Sequence, residues 1–143
     1  MVSRAAIFLI LFGGTAAAEH AFEDRDLAGG QTLYAEHCAS CHGANLEGQP
    51  NWKTRNDDGT LPAPPHDASG HTWHHDSQLL FDYTKLGGAG ALAARGVTNF
   101  ESGMPGLGDV LTDTEIWDIL AYIRSTWPEE MQNVQTARTP GHD

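Results

Sequence analysis

The sequence predicts an all-α fold, small and rich in loops, with three to four helices set around something the polypeptide does not itself supply. Three observations predict it. Apolar residues recur at helical spacing in separate segments, with no strand signal between them. Thr112-Asp113-Thr114-Glu115 opens the clearest of these segments with a capping box. From Gly43 to Gly70 the chain is dominated by Gly, Pro, Asn and Asp and has few large aliphatic residues. A loop of that length keeps one shape in a small domain only if something holds it.

The chain of 143 residues divides into three parts. Residues 1–18 read as a secretory signal peptide. Arg4 supplies the positive start, Ala5 to Phe12 the apolar run, and Ala16-Ala17-Ala18 the small residues for cleavage. The apolar stretch is too short to span a bilayer, which takes about 20 residues. Residues 19–128 form the domain, and residues 129–143 read as a flexible tail with little to bury.

Within the domain, Asp26 caps a first helix running to about Cys38, with Leu27, Gly30, Tyr34 and His37 at helical spacing. Gly29 and Gly30 each cost a helix up to about 1 kcal/mol relative to Ala, so another backbone is expected to pack very close there. Pro62-Ala63-Pro64-Pro65 is a stiff, extended piece of the loop. Asp76 or Ser77 starts a second helix with Leu79, Leu80, Tyr83 and Leu86 on its apolar side, and Gly87-Gly88 stop it. Helix resumes across Ala89 to Ala94. A loop from Asn99 to Gly108 carries Met104-Pro105-Gly106. The final helix presents Ile116, Ile119, Leu120, Ile123 and Trp127 as one stripe, and Pro128 ends it.

Cys38-Ala39-Ser40-Cys41-His42 carries the chemistry. A Cys-x-x-Cys serves as a redox disulfide, as half of a zinc site, or, with His directly after it, as a haem attachment signature. Zinc wants a second Cys or His pair at its own spacing, and the chain holds only 2 cysteines. A thioredoxin-like site wants a preceding strand, which is missing here. The motif therefore predicts one covalent haem c with iron. Cys38 and Cys41, three apart on a helical turn, reach its two vinyl positions, and His42 reaches the metal. For the sixth ligand the choice is Met104 over Met131, which lies beyond the last helix. A thioether is a soft donor that favours ferrous iron and raises the potential.

These residues resemble the class I cytochromes c. The match covers the helix with Gly30 and Tyr34 running into Cys38-Ala39-Ser40-Cys41-His42-Gly43, the loop Ser102-Gly103-Met104-Pro105-Gly106-Leu107-Gly108, and the helix from Leu111 to Arg124. The resemblance implies that the first and last helices cross, with Gly30 and Tyr34 against Ile119 and Tyr122. It also implies a proline carbonyl that takes a hydrogen bond from the proximal histidine, for which Pro50, Pro64 and Pro65 all qualify. The family's mitochondrial members dock through a ring of lysines. This chain lacks one, having only Lys53 and Lys85.

His66, His71, His74 and His75 lie close together around Trp73. They admit a second copper or zinc site, contact with haem propionates, replacement of Met104 as ligand, or plain local hydrogen bonding. The net charge is −11 at pH 7, and loss of Arg4 with the leader makes it one unit more negative. Such a balance argues against nucleic acid and favours a partner with a positive docking face. The expectation is a soluble, monomeric periplasmic electron carrier and not an enzyme. It would work between a donor such as a quinol-oxidising complex or dehydrogenase and an acceptor such as a terminal oxidase. The alternatives are a haem-based module that binds or senses a small ligand, and a copper-handling protein using the His66–His75 cluster.

Overall fold

The computed structural model describes residues 21–139, so the signal peptide read over residues 1–18 lies outside the described residues. Among the described residues there is no strand, and no helix is long and apolar enough to cross a membrane. Five helices and one 3₁₀ turn follow one another: α1 (Leu27–His37), α2 (Ala39–His42), the turn Thr72–His74, α3 (Ser77–Ala93), α4 (Asp113–Ser125) and α5 (Glu129–Arg138). The three to four helices read from the sequence become five because α2 is a single turn and because α5 folds where a tail was expected.

Helix α1 begins where Asp26 accepts the Gly29 amide at 2.9 Å. Its Gly30 faces α4 so closely that a Cβ there would sit 2.1 Å from the Asp118 carbonyl oxygen. The helical cost of that glycine is thus the condition for close approach of the two helices. One turn further on, Tyr34 is buried against Tyr122, ring centroids 5.7 Å apart, and its hydroxyl donates to the Gly43 carbonyl at 2.8 Å. The crossing expected of Gly30 and Tyr34 with Ile119 and Tyr122 is therefore present.

Helix α4 forms as its sequence dictates. Thr112 accepts the Glu115 amide while Glu115 reaches back to the Thr112 amide, so two otherwise orphaned donors are satisfied. Ile116, Ile119, Leu120 and Ile123 are buried together with Tyr34, Leu46, Phe81, Leu111 and Trp127. Burial of each large aliphatic side chain contributes about 1.5–3 kcal/mol.

Helix α3 starts at Asp76, whose carboxylate accepts the Leu79 amide at 2.9 Å. It breaks at Gly87 (φ 76°, ψ 165°) and resumes to Ala93, as the Gly-Gly pair led one to expect. From Gly43 to His71 there is no regular structure, only backbone bonds that fold the loop on itself: the Gly48 amide to the His42 carbonyl, Gln49 to Ala63, and His66 to Leu46.

The tail predicted over residues 129–143 needs correction in its first part, which is α5. The sequence signal was missing because this helix packs through polar groups. Gln135 is fully buried, its amide donating to Ser77 Oγ at 2.9 Å, and Thr139 Oγ1 accepts the Ser77 amide at 3.2 Å. Arg124, near the end of α4, reaches Gln132, Gln135 and Thr136. Helix α5 thereby closes over the 3₁₀ turn and the start of α3.

Candidate haem site

The turn Cys38–His42 is built by α1 running out. Cys38 caps α1, and its carbonyl then accepts the amides of Cys41 at 3.1 Å and His42 at 2.9 Å. Cys38 is partly buried and Cys41 exposed, and both are free thiols. Burial, with the neighbouring Cys41 as a lesser cause, pushes the Cys38 thiol up to about 11. His42 is buried, and its Nδ1 lies 2.8 Å from the Pro64 carbonyl oxygen. A carbonyl only accepts, so Nδ1 carries the proton and Nε2 keeps its lone pair. Burial lowers the His42 pKa, partly offset by that bond, and so favours the neutral ring that ligation needs. Pro64 is thus the proline that the sequence left undecided among three.

Met104 reaches the same region by a different construction. The break at Gly87 deprives the Thr84 and Lys85 carbonyls of their helical partners. The Leu107 and Gly108 amides bond to them at 2.9 and 3.0 Å, while the Gly88 amide turns to the Met104 carbonyl at 3.2 Å. The Met104 loop is docked on α3 in place of the missing turn. A Cβ on Gly87 would lie within 3 Å of Met104, Pro105 and Gly106 backbone atoms.

Between these two constructions lies a cavity of about 260 Å³. Cys38, His42 and Met104 all line it. Its walls are largely apolar: Leu61, Pro62 and Pro64 from the loop, Leu79, Leu80 and Tyr83 from α3, and Ile119, Leu120 and Ile123 from α4. Burial raises the Tyr83 pKa. The sequence matches the description of the Cytochrome c family over residues 27–127. The chain belongs to the cytochrome c family. Neither a curated protein nor a solved structure is a significant match to it.

Membership makes this cytochrome c a carrier of covalently bound haem c with iron, and an electron carrier in general terms. The residues present fit that group. An imidazole is fixed in the tautomer that leaves Nε2 free, a thioether and a thiol line the same apolar cavity, and a second thiol lies on the same helical turn.

The other histidines separate. His66 stacks on His42, ring centroids 4.0 Å apart and planes 21° apart, with its Nδ1 on Thr72 Oγ1 at 2.8 Å. His71 stacks on Trp52 at 5.0 Å and meets the His75 ring edge-on at 5.2 Å. His74 is exposed and lies on Trp73. Among the described residues, no three His, Cys, Asp or Glu side chains are gathered so as to hold a metal ion. Sequence reasoning missed Tyr83 and Phe100 as cavity residues. It also gave no sign that His66 would lie against His42, since the turn through Pro64 and Pro65 that brings it there is a matter of loop path.

Proposed function

We propose that this cytochrome c is a periplasmic carrier of single electrons whose haem iron is held between His42 and Met104. Haem c supplies the one-electron ferric/ferrous couple. Cys38 and Cys41 supply the thioether sulfurs. The observation that carries the reading is that His42, with its proton committed to Pro64, and Met104 line one cavity. The Pro64 carbonyl orients the imidazole and enriches its donor nitrogen. The Met104 sulfur favours the reduced metal. The apolar walls of α3 and α4 exclude water and so favour the less charged ferrous form.

With His42 and Met104 both holding the iron, no open site would be left on it for a substrate, and catalysis would fall to the proteins that deliver and collect the electron. In the proposed setting these are a quinol-oxidising complex or dehydrogenase and a terminal oxidase. The chain, with 19 acidic against 8 basic residues over its full sequence, suits partners with a positive face.

The test is Met104→Ala in protein matured with its haem. The expected result is retention of covalent haem, loss of the weak Met–iron absorbance band of the ferric protein, and a lower midpoint potential. An unchanged band and potential would overturn the ligand assignment. Fractionation of cells expressing the full chain, followed by haem staining, tests the location.

A further inference from the structure

Three histidines that line the cavity, His66, His71 and His75, have no part in the ligand set, and the last two stand together. His71 and His75 meet edge-on at 5.2 Å, and both face the space shared by His42 and Met104. They are held firmly. His71 lies flat on the Trp52 indole, whose ring also carries the Lys53 ammonium 4.9 Å from its centroid. The His75 backbone carbonyl accepts from the buried Gln135 amide at 3.4 Å, so α5 holds the backbone from which the ring projects. In a chain with so few cations, an imidazole pair on the rim of an apolar cavity is a strong local source of positive charge whenever it is protonated.

We infer that His71 and His75 form a proton-binding site coupled to the electron, so that reduction of this cytochrome c is accompanied by uptake of part of a proton from solvent at this pair, and oxidation by its release. The inference rests on the cavity being the haem site, as proposed above. One electron, delivered by a donor protein, lowers the charge at the iron by one unit. That favours the imidazolium form of a nearby ring, and a proton on the ring favours the electron by the same factor. The proton comes from solvent and offsets part of the charge that the electron brings.

The charges around the pair set where it works. His71 faces Lys53 from the loop, and His74 and His66 from its own segment. His75 faces Asp76 at the start of α3 and Arg138 on α5, and Glu101 lines the same cavity. Burial is the largest influence on both rings and lowers both pKa values. His74 and Lys53 add to this at His71. At His75, His71, His74 and Arg138 add to it and Asp76 opposes. The coupled range therefore lies on the acid side of the ordinary histidine value of 6.5. Above that range both rings are neutral in either redox state and the potential is flat. As pH falls through it, the rings charge and the potential rises.

The experiment is a redox titration of the holoprotein at stepped pH, for wild type, His71→Gln, His75→Gln and the double variant. It is paired with NMR titration of the histidine ring protons in the ferric and ferrous wild-type protein. The expected result is a potential that climbs as pH falls below the ordinary histidine value. Each single variant should weaken the climb and the double variant should remove it. In the wild type, the proton affinity of at least one of the two rings should be roughly tenfold higher in the ferrous state. Ring titrations identical in the two redox states, or a double variant that keeps the full climb, would overturn the inference. The wild-type spectra need no variant to fold. The Met–iron band, followed in the same samples, reports the ligand assignment separately, so the two readings fail by different signals.

Discussion

His42 and Met104 face the same cavity, but the chain holds them by different means. His42 stands on a helical turn continuous with α1, its amide bonded to Cys38 and its ring to Pro64. Nearly everything that places its backbone lies within a few residues. Met104 stands in a stretch without regular structure, and its place depends on carbonyls that α3 leaves open at Gly87. One flank is set by local sequence, and the other by a defect in a neighbouring helix. A locally determined element resists changes elsewhere in the molecule, whereas a docked loop inherits the tolerances of whatever it docks on.

The largest expected effect is on the first flank. His42→Ala removes the proposed ligand and leaves the part-buried Pro64 carbonyl without its partner, a further cost of about 0.5–1.5 kcal/mol. Native ligation should be lost outright, as read by the visible spectrum and by the yield of folded haem protein. The second effect sharpens the contrast. Gly87→Ala puts a Cβ on a residue with φ 76° and ψ 165° and within 3 Å of the Met104 loop backbone. A cost of about 1–3 kcal/mol is expected in denaturant unfolding. The Met–iron band should weaken while the haem stays attached, although the substituted residue is not in the Met104 loop at all. If band and stability were both unchanged, docking on Gly87 would not be what places Met104. The smallest effect is remote from both flanks. Gln135→Ala leaves the His75 carbonyl without this partner and Ser77 Oγ with Thr139 alone, with an expected loss of about 1–2 kcal/mol and a shift in the His75 ring titration. The Met–iron band should not change.

The same division decides what could be read from the sequence. Asp26, the Thr112–Glu115 capping box, the Gly87-Gly88 break and the Cys38–His42 turn were legible because each is determined within about one helical turn. Gly30 was legible for another reason: a helix carries such a glycine at a cost, which marks a close neighbour without naming it. The choice of Pro64 over Pro50 and Pro65 was not legible. It depends on the Gly48 and Gln49 amides doubling the loop back on His42 and Ala63, and no local pattern encodes that path. Helix α5 escaped notice because hydrophobic periodicity detects apolar faces, and this helix buries a glutamine. The separate partners of these histidines, His66 on His42 and His71 on Trp52, escaped notice too, since closeness along the chain does not say what each side chain packs on.

One bond spans these distant parts. The Trp127 indole donates to the His66 carbonyl at 2.7 Å, and the ring of that same His66 lies on His42. The far end of α4 is thereby fastened to the residue that backs the proposed proximal ligand. A centre that changes oxidation state trades electrons quickly when few nuclei must move to suit each state. An imidazole pressed between a carbonyl tether and a stacked neighbour, itself anchored by a buried indole, has little freedom to relax. With His42 as the proposed ligand, this fastening would keep the barrier to electron exchange low.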